Sequence, residues 1–460
     1  MGVGVSSWRL ANAVSRTGQL GVVSGSMLDT VMIRRLQDGD PGGHVRRAAE
    51  CFPISGTADW IIERYYCSAG RPAGAAYQLL PMYRQRMSAA RQRVTVLANF
   101  VEVWLAKEGH SGPVGINLLT KVQLPNLASL YGAMLAGVDY VIMGAGIPRE
   151  IPAVLDAFAD HRPARLRFDV EGDRKDATEY LEFDPGDHWS PDTPLKRPRF
   201  LGVVSAASLA ATLARKASGV VDGFIVEGPT AGGHNAPPRG QMRMNERGEP
   251  LYGERDVVDL ADMKAIGVPF WLAGGMGSPQ ALRYAREQGA VGIQVGTLFA
   301  YADESGISES IRQSVLDAVR CGTVSVKTDP RASPTGFPFK VVTVAEVTGS
   351  SRPERERKCD LGYLRVAVQT PKGLVYRCPA EPVDAFVAKG GDAAQTIGRQ
   401  CLCNGLTATI GLAQSRGKVG DEPPLVTSGD ALLSLGRFLG DRSSYRATDV
   451  LEYLLRARDA

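Results

Sequence analysis

Histidine is scarce in this chain, with five in 460 residues, so chemistry that needs an imidazole has few candidates. No uninterrupted apolar run reaches the length of a bilayer crossing, and the beginning lacks a basic region followed by an apolar stretch. Charge of one sign is not in excess either. With 53 Lys and Arg against 49 Asp and Glu the net charge is +4, and no segment gathers enough cations to make a nucleic-acid stripe. Neither nucleic acid nor a membrane is expected as a partner. Cysteine is sparse and odd in number, seven over the whole length, which argues against an extracellular disulfide framework and for a reducing, cytoplasmic setting. Met1, Gly2 and Ser6 fit the short N-myristoylation pattern, which is common by chance, and the glycines read better as a loop approaching a ligand.

What is present is a rhythm. Short apolar runs alternate with helical stretches up to about residue 320, the signature of repeated β-α units and a parallel sheet. Strands are expected at 20–24, 114–119, 140–143, 200–205, 223–227, 270–273 and 292–296, one short of a (β/α)8 barrel. Helices are expected at 8–15, 124–136, 207–216 and 280–287, the last opened by Ser278 and Pro279. The interval between Met27 and Ser111 breaks the repeat and reads as a helical insertion, centred on about 50–110, that could cover a site. Residues 165–170 and 179–183 alternate apolar and charged side chains around a polar turn, as an excursion hairpin would. Beyond Cys321 the rhythm ends. The Pro, Ser and Gly of 328–339 and the charge run 350–358 suggest a boundary, so the barrel is assigned to 1–325. Residues 326–460 are then an α+β extension ending in helices near 431–439 and 448–456.

In a parallel barrel, function lies just beyond the C-terminal ends of the strands. There the chain places Asn117, then Gly144 and Gly146, then Gly232, Gly233 and His234, then Gly274, Gly275, Gly277 and Ser278, and finally Gly296 and Thr297. Bare glycine amides at the last two strand ends suit a phosphate group. Any single glycine is better read as a simple strand terminator. The Gly144-Ala145-Gly146 turn lacks the third glycine of a dinucleotide fingerprint. His234, delivered by a buried strand next to paired glycines, is the candidate catalytic residue, whereas His44, His110, His161 and His188 lie in polar loops or at helix ends. Arg239 could recruit an anionic substrate, and Tyr65, Tyr66, Tyr77 and Tyr83 are either lid aromatics or packing. Cys359, Cys378, Cys401 and Cys403 offer one short pair, a spacing that favours buried free thiols over zinc or an iron-sulfur centre, so no metal is assigned.

From Met1 to about Tyr301 the chain resembles the FMN-dependent nitronate monooxygenases, formerly 2-nitropropane dioxygenases, and the related flavin-dependent enoyl-acyl carrier protein reductases. The resemblance rests on Met-Gly-Val-Gly-Val-Ser at the start, Gly-Ile-Asn at 115–117 and Glu-Gly-Pro-Thr-Ala-Gly-Gly-His at 227–234, followed by Ala-Gly-Gly at 273–275 and Gln-Val-Gly-Thr at 294–297. It implies a TIM-type barrel holding FMN, with Met1, Gly2 and Asn117 near the flavin ring. Gly233, Gly274, Gly275, Gly296 and Thr297 would hold its phosphate, and His234 would be catalytic. In the family a first strand and a Gly-Gly pair precede the opening Met-Gly, so the barrel is expected to lack its first strand and to be open where flavin binds. The implied activity is oxidation of an alkyl nitronate by molecular oxygen to a carbonyl compound and nitrite. The alternatives are an enoyl reductase using NAD(P)H and, from another class, a barrel that binds a phosphorylated ligand without redox chemistry.

Overall fold

The computed structural model describes residues 2–172, 178–189, 193–344 and 355–456. Strands covered on both faces must be apolar on both, and the continuous Val, Ile and Leu runs of the sequence become a single parallel sheet for that reason. Its strands are β1 (Gly21–Ser24), β2 (Val114–Leu119), β3 (Tyr140–Gly144), β4 (Arg199–Val204), β5 (Gly223–Glu227), β6 (Phe270–Ala273) and β7 (Gly292–Gln294). They stand in chain order, each parallel to the next. Among the described residues β1 and β7 are not paired with each other, although both face one cavity, so the sheet is a (β/α) barrel open along one side. Ile142, Leu201, Ile225 and Ala273 form the apolar lining of its interior.

Strand β7 stops two residues before its expected end because the chain turns at Gly296 into the short helix Thr297–Ala300. The helices Trp8–Ser15, Asn126–Leu135, Ala207–Lys216 and Pro279–Glu287 cover the sheet, the last capped by Ser278, whose Oγ accepts the Ala281 N–H at 3.1 Å. The insertion is helical as expected, with Leu28–Gln37, His44–Glu50, Thr57–Tyr65 and the long Ala89–Lys107. The excursion forms as an antiparallel pair, Ala164–Phe168 with Glu179–Phe183, outside the main sheet, while most of its polar turn falls outside the described residues.

Beyond the barrel, Ser325–Asp329 and Phe339–Thr343 form a hairpin, and Val366–Thr370 pairs with both Gly373–Arg377 and Val170–Glu171. Most of the charge run at 350–358 lies outside the described residues. The expected helix at 431–439 divides into a tight 3-10 turn, Asp430–Ser434, and the helix Leu435–Leu439. The final helix, Ala447–Leu455, packs Ala447 and Leu451 against Leu10 and Val14 of the first helix, beside the open side of the barrel. No helix among the described residues is long and apolar enough to cross a membrane.

Candidate active site

Two adjoining cavities, of about 330 and 440 Å³, meet at the C-terminal ends of the strands, and the second runs on along the open side of the barrel past Gly21 and Gly292. Gly2, Glu227, Gly232, Gly233, Gln294 and Thr427 line both. The first cavity holds Asn117, His234 and Arg239; the second holds Gly274, Gly275, Gly296 and Thr297. The candidate catalytic and cofactor-binding residues are thus gathered around one paired cavity, apart from Met1, which lies outside the described residues.

His234 follows a turn that only glycine fits. Gly233 has φ 79°, and a Cβ on Gly232 would stand 2.7 Å from the Gly429 nitrogen. The imidazole is held on one side by the Phe339 ring, 4.8 Å between centroids, and its Nε2 lies 2.7 Å from Ser333 Oγ. Ser333 Oγ in turn lies 2.8 Å from Thr335 Oγ1. Backbone pairing fixes the same loop: the Asn235 N–H donates to Pro338 O and the Lys340 N–H to Gly233 O, both at 2.9 Å. Burial lowers the His234 pKa to about 4, with the positive charge of Lys121 adding to the effect. Lys121 itself sits with Nζ 3.7 Å from the Phe337 ring centroid. In the wall shared by the two cavities, burial pushes the Glu227 carboxyl up to about 7.

At the second cavity Gly274 and Gly275 have φ of 85° and 70°. Thr297 Oγ1 accepts the Gly429 N–H at 3.1 Å, and Thr427 Oγ1 accepts the Gly233 N–H at 2.9 Å. Residues 427–429 of the extension therefore complete the glycine loops of the barrel. Asn117 Nδ2 donates to Ile142 O at 3.4 Å, a long bond that leaves its side chain facing the first cavity. Arg239 Nη2 donates to Ser205 O at 2.9 Å, at the rim.

Other histidines have structural partners. His161 bridges Tyr131 OH and Thr193 O at 2.9 Å each, and His188 lies 3.0 Å from Gln92 Oε1. Tyr77 and Tyr83 are buried packing whose hydroxyls donate to Asp38 and Asp29, not lid aromatics. Reading the sequence alone missed Lys121, Ser333, Phe339 and Thr427 as parts of this site. The Pro, Ser and Gly of 328–339, which signal a linker, instead build the hairpin loop that carries Ser333 to His234. Among the described residues no His, Cys, Asp or Glu group forms a ready metal-ligand set.

Glycine loops and a histidine gather at the strand ends of a parallel barrel, the face on which such barrels place their functional sites. Residues 190–332 match the family described as nitronate monooxygenase, and over this segment the chain is similar to that family. A probable nitronate monooxygenase of Staphylococcus haemolyticus is 28% identical over 131 residues, covering 28% of this chain and 35% of that protein. One from Staphylococcus aureus is 27% identical over 134 residues, 29% of this chain and 36% of that protein. The chain thus matches about a third of the length of these curated relatives. Among solved structures it is similar to FabK of Thermotoga maritima, with 15% identity, 98% and 88% of the two chains covered, and a TM-score of 0.44. It is also similar to a nitroalkane oxidase of Streptomyces ansochromogenes, with 14% identity, 99% and 92% covered, and a TM-score of 0.45.

Proposed function

We propose that the protein is an FMN-dependent oxidoreductase that oxidises alkyl nitronates with molecular oxygen to a carbonyl compound and nitrite. The observation that carries this reading is the pairing of cavities, one lined by a desolvated histidine and the other by glycine loops, joined through Gly232 and Gly233. Gly274, Gly275, Gly296 and Thr297 would hold the phosphate, and Gly2 and Asn117 would flank the ring. The fit rests on backbone: left-handed glycines present N–H groups without a side chain in the way. When bound, FMN supplies the redox step, with oxygen as the terminal oxidant.

The chain's own part is proton handling and placement. A His234 pKa near 4 keeps the imidazole neutral at pH 7, ready to accept the carbon-bound proton beside a nitro group. With Nε2 engaged by Ser333, Nδ1 is the nitrogen left to meet substrate. Lys121 adds positive potential that draws an anionic nitronate inward. The apolar walls offered by Val203, Leu209 and Leu406 suit a small alkyl group.

His234→Asn should keep bound flavin while nitroethane turnover falls by about 100-fold, the usual worth of a positioned acid-base group. Unchanged turnover would remove His234 from the chemistry. Anaerobic reduction of the bound flavin by nitronate supports the assignment; reduction by NAD(P)H alone would move it to the reductase reading.

A further inference from the structure

Two residues in the wall of the first cavity hold a backbone conformation that their side chains make costly. Among the described residues four non-glycines have a left-handed φ: Met27 at 61°, Asp40 at 47°, Ala145 at 54° and His161 at 53°. Asp and His visit this region more readily than other types, and both have local partners here. Asp40 accepts the Val45 and Arg46 N–H groups at 3.0 Å each, and His161 bridges Tyr131 and Thr193. Met27 and Ala145 have no polar side chain to make such a bond, and both line the first cavity. We propose that Met27 and Ala145 are specificity-determining residues, and that the wall they frame takes a straight alkyl chain of several carbons carried by the substrate. This rests on the reading of the first cavity as the substrate side.

Ala145 follows β3 between Gly144 and Gly146, in a turn clamped by its neighbours. A Cβ on Gly144 would stand 2.7 Å from Val203 Cβ, and one on Gly146 would stand 2.8 Å from Thr120 Cβ. The Thr120 N–H also donates to Gly144 O at 2.8 Å. Ala145 therefore cannot relax without moving the residues on either side of it. Glycine would hold this position at lower cost, as it does at both flanks. Packing does not account for the methyl group, since Ala145 joins none of the buried apolar clusters. The cavity is what remains for it to meet.

Met27 opens the helix Leu28–Gln37 without a side-chain cap and is buried in one cluster with Val122 and Tyr363. Strands β1, β2 and β3 are adjacent, so Met27 beyond β1, Leu119 and Val122 at the end of β2, and Ala145 and Ile147 beyond β3 follow one another along one wall. Ile147, 54% exposed, stands where that wall meets solvent. The cavity, about 330 Å³, is of a size that takes a whole small molecule. A wall that is apolar from the buried Met27 to the exposed Ile147 gives an unbranched chain contact along its length, and each methylene laid on it adds to binding.

The test is calorimetric titration of the full chain, with FMN added, by straight-chain carboxylates from propanoate to hexanoate. These are planar anions of the same charge as a nitronate and do not react. Affinity should rise by about four-fold with each added methylene, the worth of one buried CH2 group. Ala145→Gly should weaken hexanoate by about four-fold and leave propanoate unchanged, while its unfolding midpoint stays level or rises as the left-handed strain is relieved. Met27→Ala should weaken hexanoate by about ten-fold. Because Met27 is buried and its variant can lose stability, Ala145→Gly decides the matter. Affinity that does not grow with chain length in the wild type would overturn the proposal, as would an equal change, or no change, for hexanoate and propanoate in Ala145→Gly. A lowered midpoint in Ala145→Gly would overturn it too, by showing that the methyl group serves packing. Nitroethane turnover is read separately: chain-dependent carboxylate binding in a protein without that turnover would leave the wall standing and remove the proposed reaction.

Discussion

At the scale of single residues, the site turns on how one imidazole is kept neutral and aimed. A histidine with a lowered pKa stabilises the fold above the unfolded value near 6.5, and that contribution is lost as pH falls toward 4. For the free enzyme the same shift predicts that the acid limb of kcat/KM lies near pH 4; a limb near 6.5 would show that His234 is not held in this environment. Ser333 is a positioning residue, since its oxygen meets Nε2 and can fix the tautomer. Ser333→Ala should lower kcat about five-fold, the net worth of one hydrogen bond, with KM and flavin content unchanged, and Ser333→Thr should restore it. An equal loss in Ser333→Thr and Ser333→Ala would reduce Ser333 to packing. His234 was legible in the sequence because an apolar run, paired glycines and an imidazole occur side by side. Ser333 was not, because it lies 99 residues away and has no local pattern of its own.

At the scale of elements, the strand ends and the segment 427–429 fit each other backbone to backbone. A Cβ on Gly232 would come within 2.8 Å of the Ser428 carbonyl carbon, and one on Gly429 would come within 2.8 Å of Thr230 O. Neither contact can be relieved by turning a side chain. Gly232→Ala should therefore cost about 1–3 kcal/mol, read by denaturant unfolding, and should loosen the wall shared by the two cavities as well. A fully stable variant would mean that this interlock is slack. The parallel strands could be read to within one or two residues, since burial on both faces demands continuous apolar runs. In the extension the last helix could be read to within one residue, but the loops that meet the barrel could not, because their Pro, Ser and Gly look the same in a linker.

At the scale of the whole molecule, three distant stretches are tied by one buried cluster. Asp29 on the helix Leu28–Gln37 pairs with Arg91 on the helix Ala89–Lys107 and accepts from Tyr83 and from Tyr363 of the extension. Burial alone would raise the Asp29 carboxyl, but Arg91 and the two hydroxyls hold it below the usual range. Its contribution is therefore present above the unfolded carboxylate pKa and is lost as pH falls through the folded value. Asp29→Asn leaves Arg91 buried without its counterion and should cost about 3–5 kcal/mol by denaturant melt. A loss under 1 kcal/mol would mean that the ion pair is replaceable by neutral hydrogen bonds. The same cluster explains why the extension was hard to interpret from sequence: Tyr363 lies 334 residues from Asp29, and only the folded chain brings them together.

The central claim is that the two cavities joined at Gly232 and Gly233 hold a flavin phosphate on one side and present its ring to His234 on the other. The most direct measurement is the visible spectrum of the purified full chain after FMN is added and unbound flavin removed. The account predicts the two absorption bands of oxidised flavin at about one FMN per chain, with this content much reduced by Gly274→Val and unchanged by His234→Asn. A protein that stays colourless after FMN is added would contradict it.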